Sequence, residues 1–242
     1  WKVKGRALLS KGQVAIILLA GGLGTRVGSN APKGMLNINL PSGRSLFQMH
    51  AEMMIAQQDA AGVELPLYIM TSPMLYKNVF NIFEIHQYFG LNRSLVYFFN
   101  QTVLPCFDFN GNIAMQTPTK IAASPAGHGD LLYALRKSGM LNKMEAMGVD
   151  FVFTFNVDNP LAYIPDPGFI GYCSAMNTSR CFKVVERVRL DEPLNIFLHN
   201  QTDQTARYYS YHHLNFNKTA LRGMLVWGDI MHIIMKFDFK II

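Results

Sequence analysis

Residues 14–34 read VAIILLAGGLGTRVGSNAPKG, and two features of this stretch decide the fold class. Residues 14–20 form a continuous apolar run, the pattern of a strand buried on both faces rather than one that alternates between core and water. The run stops at Gly21 and Gly22, and glycines recur at 24 and 28. The chain therefore leaves a central strand through a turn whose backbone amides stand clear of any Cβ and can approach a phosphate or a base.

Working outward, strands and helices alternate. Ser45 with Gln48 three residues later has capping-box spacing, and Leu46, Met49, Met53, Ala56 and Ala60 recur at helical intervals until Gly62, which predicts an amphipathic helix. Residues 65–71 predict a second strand, Ser72-Pro73 the opening of a helix through Leu75, Val79 and Phe83, and 95–100 a third strand. Asn110-Gly111, flanked by 106–109 and 112–115, signals a type I′ hairpin. Residues 130–137 read as a helix up to Gly139, a short helix follows, and 151–157 (FVFTFNV) read as another buried strand ending at Asp158. Beyond 182, short strands are expected at 183–186, 194–199 and 206–211, and a helix or strand pair at 230–242. This order predicts an α/β chain with an open, doubly wound, mostly parallel sheet, whose ligands bind beyond the carboxyl ends of its strands. The glycine turn after Ala20 and Asp158 both fall at such ends.

Composition narrows the function classes. With 242 residues, 50% hydrophobic and 16% charged, the chain is no disordered polymer, and it can bury roughly 70% of its unfolded surface. The longest apolar runs, 14–20 and 231–235, fall short of the roughly 20 residues that span a bilayer, and no apolar export segment follows Trp1, Lys2 and Lys4. Cys106, Cys173 and Cys181 have no zinc-ligand spacing and an odd count, which suits a reducing, cytoplasmic compartment. The net charge of +6 comes from scattered basic residues without interleaved aromatics, so a positive cleft for a small polyphosphate is expected rather than a nucleic-acid surface.

The turn is not a P-loop, because the Lys-Ser/Thr pair is absent, and it misses the dinucleotide fingerprint because Gly28 follows Gly24 by four positions. It does bring Thr25, Arg26 and Lys33 close to the glycines. Two cations in one loop can neutralise a triphosphate and a departing pyrophosphate.

These residues carry a resemblance. GGLGTRVGSNAPK at 21–33 resembles the signature of nucleotidyltransferases that make UDP-sugars, and PKGMLNINLPSGRSLFQMHAE at 32–52 is similar to the UDP-N-acetylhexosamine pyrophosphorylase family in particular. Further matches run in family order: FFNQTVLP (98–105), SPAGHGDLLYAL (124–135), NVDNPL (156–161), DPGFIGYC (166–173), KVVER (183–187) with Glu192-Pro193 beyond it, and WGDI (227–230). The resemblance implies a Rossmann-like, GT-A-like nucleotidyltransferase domain over the whole chain, with a nucleotide half at about 11–160 and a sugar half at about 161–242. It implies a magnesium-dependent reaction of UTP with N-acetylhexosamine 1-phosphate to give UDP-N-acetylhexosamine and pyrophosphate. By the same resemblance, Ala20, Gly21, Gly22, Gly24, Thr25, Gln101 and Gly127 would surround the nucleotide, Arg26 and Lys33 would face the phosphates, and Asp158 would lie by the metal. An amide such as Gln101 suits a uracil edge because it offers both a donor and an acceptor. On the residues alone, Gln101 could instead cap a strand edge, and Asp158 the turn before Pro160.

The sugar half departs from the family pattern. His128 stands where the family's S-P-D-G-N-G-G has Asn, Asn195 where Glu-Pro-Val-Gly has Gly, Tyr208 at a family Glu, and Asp229 at a late Asn. Leu23 replaces a usual Gln, and the family's later phosphate-reaching lysine and C-terminal domain belong to segments beyond residue 242. A transferase with altered sugar contacts and a catalytically weak nucleotide-binding relative are both compatible with this pattern. His212-His213 and the Met-rich stretches read more simply as strand surface and core filling.

Overall fold

The computed structural model describes residues 1–24, 28, 31–186, 196–199, 206–209 and 226–236. In chain order the elements are α1 (Lys2–Ser10), β1 (Val14–Leu19), α2 (Leu46–Ala61), β2 (Leu67–Thr71), α3 (Tyr76–Ile85), β3 (Val96–Asn100), the short strands β4 (Val103–Pro105), β5 (Met115–Thr117), β6 (Lys120–Ile121) and β7 (Ala123–Pro125), then α4 (Leu131–Lys137), α5 (Met140–Ala146), β8 (Phe151–Asn156), α6 (Pro167–Met176), β9 (Arg180–Glu186), β10 (Ile196–His199), β11 (Ala206–Tyr209) and β12 (Val226–Lys236).

All six residues of β1 are buried, and successive ones serve two different cores. Val14, Ile16 and Leu18 join Phe47, Ala51 and Met54 of α2 and Val79 and Phe83 of α3. Ala15, Ile17 and Leu19 join Ala134 and Leu135 of α4 with Leu141 and Met144 of α5. Helices on both faces are why the run 14–20 shows no polar alternation. β1 pairs in parallel with β2 and with β8, and β2 in parallel with β3, giving the order β3-β2-β1-β8. Past β8 the mixed sheet turns antiparallel: β12 pairs with β8, β9 and β10 pair with β12, and β11 pairs with β10. The strand order reverses between β1 and β8, and a crevice opens at the carboxyl ends of a doubly wound sheet at such a switch point.

Three local expectations are corrected. The buried side of α2 is Leu46, Phe47, His50, Ala51, Met54 and Gln58, whereas Met53, Ala56 and Ala60 face solvent. Polar residues are scattered around this helix, and His50 and Gln58 lie on its buried side, so spacing alone does not select the face that the Phe47 ring occupies against Phe83. Its cap is half of a capping box: Ser45 Oγ accepts the Gln48 amide at 3.3 Å, but the Gln48 side chain donates to Glu52 instead of turning back. At Asn110-Gly111 only Gly111 takes positive φ (84°). Asp108 accepts the amides of Asn110 and Asn112 and its carbonyl accepts Gly111 N–H, which draws the turn into type I followed by a glycine bulge. Of the expected helix or strand pair at 230–242, residues 230–236 belong to one long strand, β12 (Val226–Lys236), and 237–242 lie outside the described residues.

α1 crosses α6 at two glycines. A Cβ on Gly5 would stand 1.8 Å from the Pro167 carbonyl oxygen, and one on Gly171 would stand 1.9 Å from that of Trp1. Gly171→Ala is therefore expected to lower stability by about 1–3 kcal/mol, the usual range for overpacking, read as a shift in the urea midpoint. An unchanged midpoint would mean that α1 does not dock there. Among the described residues no helix is long and apolar enough to cross a membrane.

Candidate active site

Because β1 and β8 are adjacent and parallel, with Leu19 opposite Asn156, the turn after β1 and the turn after β8 emerge side by side. The first folds back on itself: Gly24 N–H donates to Ala31 and Lys33 N–H to Gly22, which returns Lys33 to the strand end. Lys33 Nζ then meets Asp158 Oδ2 at 2.6 Å across 125 residues of sequence. The pair is accessible, with side-chain exposures of 25% and 47%. An ion pair this open contributes about 0–1 kcal/mol to folding, so a polyphosphate can displace Asp158 from Lys33 at little cost.

The second cluster sits beyond β2 and β3. Gln101 is the residue after β3, is only 5% exposed, and its N–H donates to the Thr71 carbonyl. Its Oε1 accepts Gly127 N–H at 2.7 Å, which fixes the amide orientation, since a backbone N–H needs the oxygen. The Nε2 amino group is thereby turned toward Gly21, where a Cβ would stand 2.3 Å from it. Gly21 is thus required for close approach, and Gly127, at φ 81° and ψ −169°, for a backbone region closed to other residues. Ala20 leaves β1 alongside, donating its N–H to the Met70 carbonyl.

The site residues expected from the sequence sort into three groups. Ala20, Gly21, Gly22, Gly24, Lys33, Gln101, Gly127, His128 and Asp158 lie at one end of the sheet. Partial desolvation holds the His128 imidazole below its ordinary pKa of 6.5 although the residue is exposed; the Asp158 charge opposes this and the Lys33 charge adds to it, so both charges act on the ring. Asp229 lies on β12, three residues before His232, which pairs with Phe155 of β8, and so at the same end as Asp158; Tyr208 is on the edge strand β11, opposite Phe197. Thr25, Arg26 and Asn195 lie outside the described residues. No group of three or more His, Cys, Asp or Glu side chains suited to a metal is present among the described residues. Asp158 follows β8 by two residues and pairs with the Lys33 cation. A magnesium ion, which usually takes one or two carboxylates plus substrate phosphates, fits this donor set only together with a nucleotide.

Two site residues escape a reading of the sequence. Asp130 Oδ2 accepts the Thr102 N–H. His50, on the buried side of α2, places Nε2 2.8 Å from the Val157 carbonyl, directly behind Asp158. A histidine in an apolar stripe was the available signal for it. Burial holds the His50 pKa below 6.5, outweighing the opposite pulls of the Val157 carbonyl and the Asp158 charge. The folded chain thus keeps this ring neutral while the unfolded chain takes up a proton near pH 6.5. The resulting stability is complete above that pH and is lost as pH falls below it. His50→Gln is expected to flatten the decline of the urea midpoint between about pH 7 and 5. A slope equal to that of the unsubstituted chain would assign the titration to another group.

Comparison with known proteins bears on this geometry. Residues 2–209 match the model of the UTP–glucose-1-phosphate uridylyltransferase family. UDP-N-acetylglucosamine diphosphorylase 2 of Arabidopsis thaliana is 33% identical over 256 residues, covering 99% of this chain and 51% of its own length. UDP-N-acetylglucosamine pyrophosphorylase of Saccharomyces cerevisiae is 43% identical over 176 residues, covering 71% of this chain and 37% of its own. The crystal structure of the uridine diphosphate N-acetylglucosamine pyrophosphorylase of Trypanosoma brucei, in complex with an inhibitor, superposes with a TM-score of 0.85 at 30% identity over 97% of this chain and 49% of that one. The chain spans about half the length of the curated relatives it matches.

Proposed function

The chain belongs to the UTP–glucose-1-phosphate uridylyltransferase family, and from that premise we propose that its site transfers a uridylyl group from UTP to an N-acetylhexosamine 1-phosphate. The acceptor phosphate oxygen attacks the α-phosphorus, and the bond from that phosphorus to the bridging oxygen of the β-phosphate breaks. UDP-N-acetylhexosamine and pyrophosphate result. Such a transfer asks a protein for positioning and charge neutralisation rather than for a covalent intermediate.

The observation that carries the reading is the Gln101 amide, locked by Gly127 and pressed on Gly21, at the same strand ends as the Lys33–Asp158 pair. Its Nε2 donor suits a uracil carbonyl and would meet a second donor on the amino group of cytosine. Ala20, Gly21, Gly22, Gly24, Thr25 and Gly127 line the nucleotide. Lys33 exchanges Asp158 for a phosphate, and Arg26 neutralises the departing pyrophosphate. Asp158, released from Lys33, would hold magnesium, which when bound supplies further neutralisation of the phosphates. His128, Asn195, Tyr208 and Asp229 face the acceptor sugar, giving a nucleotide half at about 11–160 and a sugar half at about 161–242. Three cysteines without a disulfide among them support a reducing, cytoplasmic setting.

The test is pyrophosphate release from UTP and magnesium with a panel of hexose 1-phosphates. Release with an N-acetylhexosamine 1-phosphate above that with glucose 1-phosphate is expected. UTP binding without release for any acceptor would replace transfer by nucleotide binding alone.

A further inference from the structure

Asp130 closes the 3-10 turn His128–Asp130 that leads directly into α4, with helical φ −77° and ψ −6°, and its side chain accepts no amide of that helix. Its Oδ2 instead accepts Thr102 N–H at 2.6 Å, the short distance of a charge-assisted bond. Thr102 directly follows Gln101. The Thr102 carbonyl is also taken, by Ala126 N–H at 2.9 Å, and the contact continues the β4–β7 ladder, in which Val103 pairs with Pro125. Two segments that are distant in sequence, 101–102 and 126–130, are thus laced three times: Gly127 N–H to Gln101 Oε1, Ala126 N–H to Thr102 O, and Thr102 N–H to Asp130 Oδ2. The Asp130 carboxylate closes this lacing by accepting the amide of the residue next to Gln101.

We propose that Asp130 is a positioning residue for base recognition: by holding Thr102 N–H it keeps the Gln101–Gly127 pair closed and the Gln101 Nε2 donor aimed past Gly21. The proposal rests on the reading of Gln101 as the uracil contact, but its mechanical part stands apart from any nucleotide. In the absence of ligand, Asp130→Ala frees the 126–130 segment, and Gly127 N–H loses its acceptor more often. With ligand, the donor is less well placed and the preference for UTP over CTP shrinks.

The experiment pairs amide hydrogen exchange with calorimetry on the full chain and on Asp130→Ala, Asp130→Asn, Gln101→Ala and the double variant Asp130→Ala/Gln101→Ala. Asp130→Ala is expected to speed exchange at Gly127 in the nucleotide-free protein and to weaken UTP by about tenfold, the size of one hydrogen bond to a charged group, while weakening CTP less. Asp130→Asn, which keeps an acceptor for Thr102 N–H, is expected to stay near the parent. In the Gln101→Ala background, Asp130→Ala is expected to add nothing, since the residue it positions is gone. Unchanged Gly127 exchange in Asp130→Ala, equal losses for UTP and CTP, or a full additional loss in the double variant would each overturn the proposal. A parent chain that does not prefer UTP, yet loses Gly127 protection in Asp130→Ala, would overturn the uracil reading and leave the latch standing.

Discussion

Asp158→Asn is expected to slow pyrophosphate release by about a hundred- to a thousandfold, equivalent to about 3–4 kcal/mol of transition-state stabilisation, and to leave the melting temperature unchanged. Both halves of the expectation come from the accessible pair with Lys33 at 2.6 Å. Its contribution to folding is small, whereas the carboxylate lies where the phosphates and their magnesium would arrive. An amide of the same shape keeps the packing and removes the charge. Nucleotide binding by the variant should also lose most of its magnesium dependence in calorimetry. An unchanged rate with unchanged magnesium dependence would remove Asp158 from the site, and a large drop in melting temperature would give it a structural role instead.

Gln101→Ala is expected to weaken UTP by about 1–3 kcal/mol, roughly five- to 150-fold in Kd, and to narrow the margin of UTP over CTP. Truncation leaves Gly127 N–H without its acceptor and removes the donor turned toward Gly21. Because Gln101 is almost wholly buried, water replaces these bonds poorly. Calorimetric Kd values for both nucleotides check it; equal losses for the two would show that the side chain supports the pocket without reading the base.

How far each feature was legible depends on the range of the interaction that makes it. The run 14–20 announces a central strand because burial on both faces is written into consecutive residues, and the two cores that share β1 bear this out. The face of α2 was not legible, since Met49, Met53, Ala56 and Ala60 are as apolar as the residues that turn inward, and the choice is made by Phe47 meeting Phe83 on another element. α1 carries no side-chain cap and has a glycine at its crossing point, so neither periodicity nor punctuation marks it. That Gly21, Gly22, Lys33, Gln101, Gly127 and Asp158 come together at one end of the sheet was legible through motif order. Asp130 and His50 were not, because their partners, Thr102 and the Val157 carbonyl, lie 28 and 107 residues away and nothing local requires them. The type I′ signal at Asn110-Gly111 failed for the opposite reason: a closer local interaction, Asp108 accepting the amides of Asn110 and Asn112, outweighed the dipeptide preference.

The crevice at the carboxyl ends of β3, β2, β1 and β8 is expected to select uridine nucleotides. Titration of the chain with UTP, CTP and ATP in the presence of magnesium tests it most directly. Measurable UTP binding is expected, with CTP weaker by at least about tenfold for one mismatched donor, and ATP weaker as well, because the adenine amino group would likewise meet the Gln101 Nε2 donor. Equal affinity for UTP and ATP would contradict it.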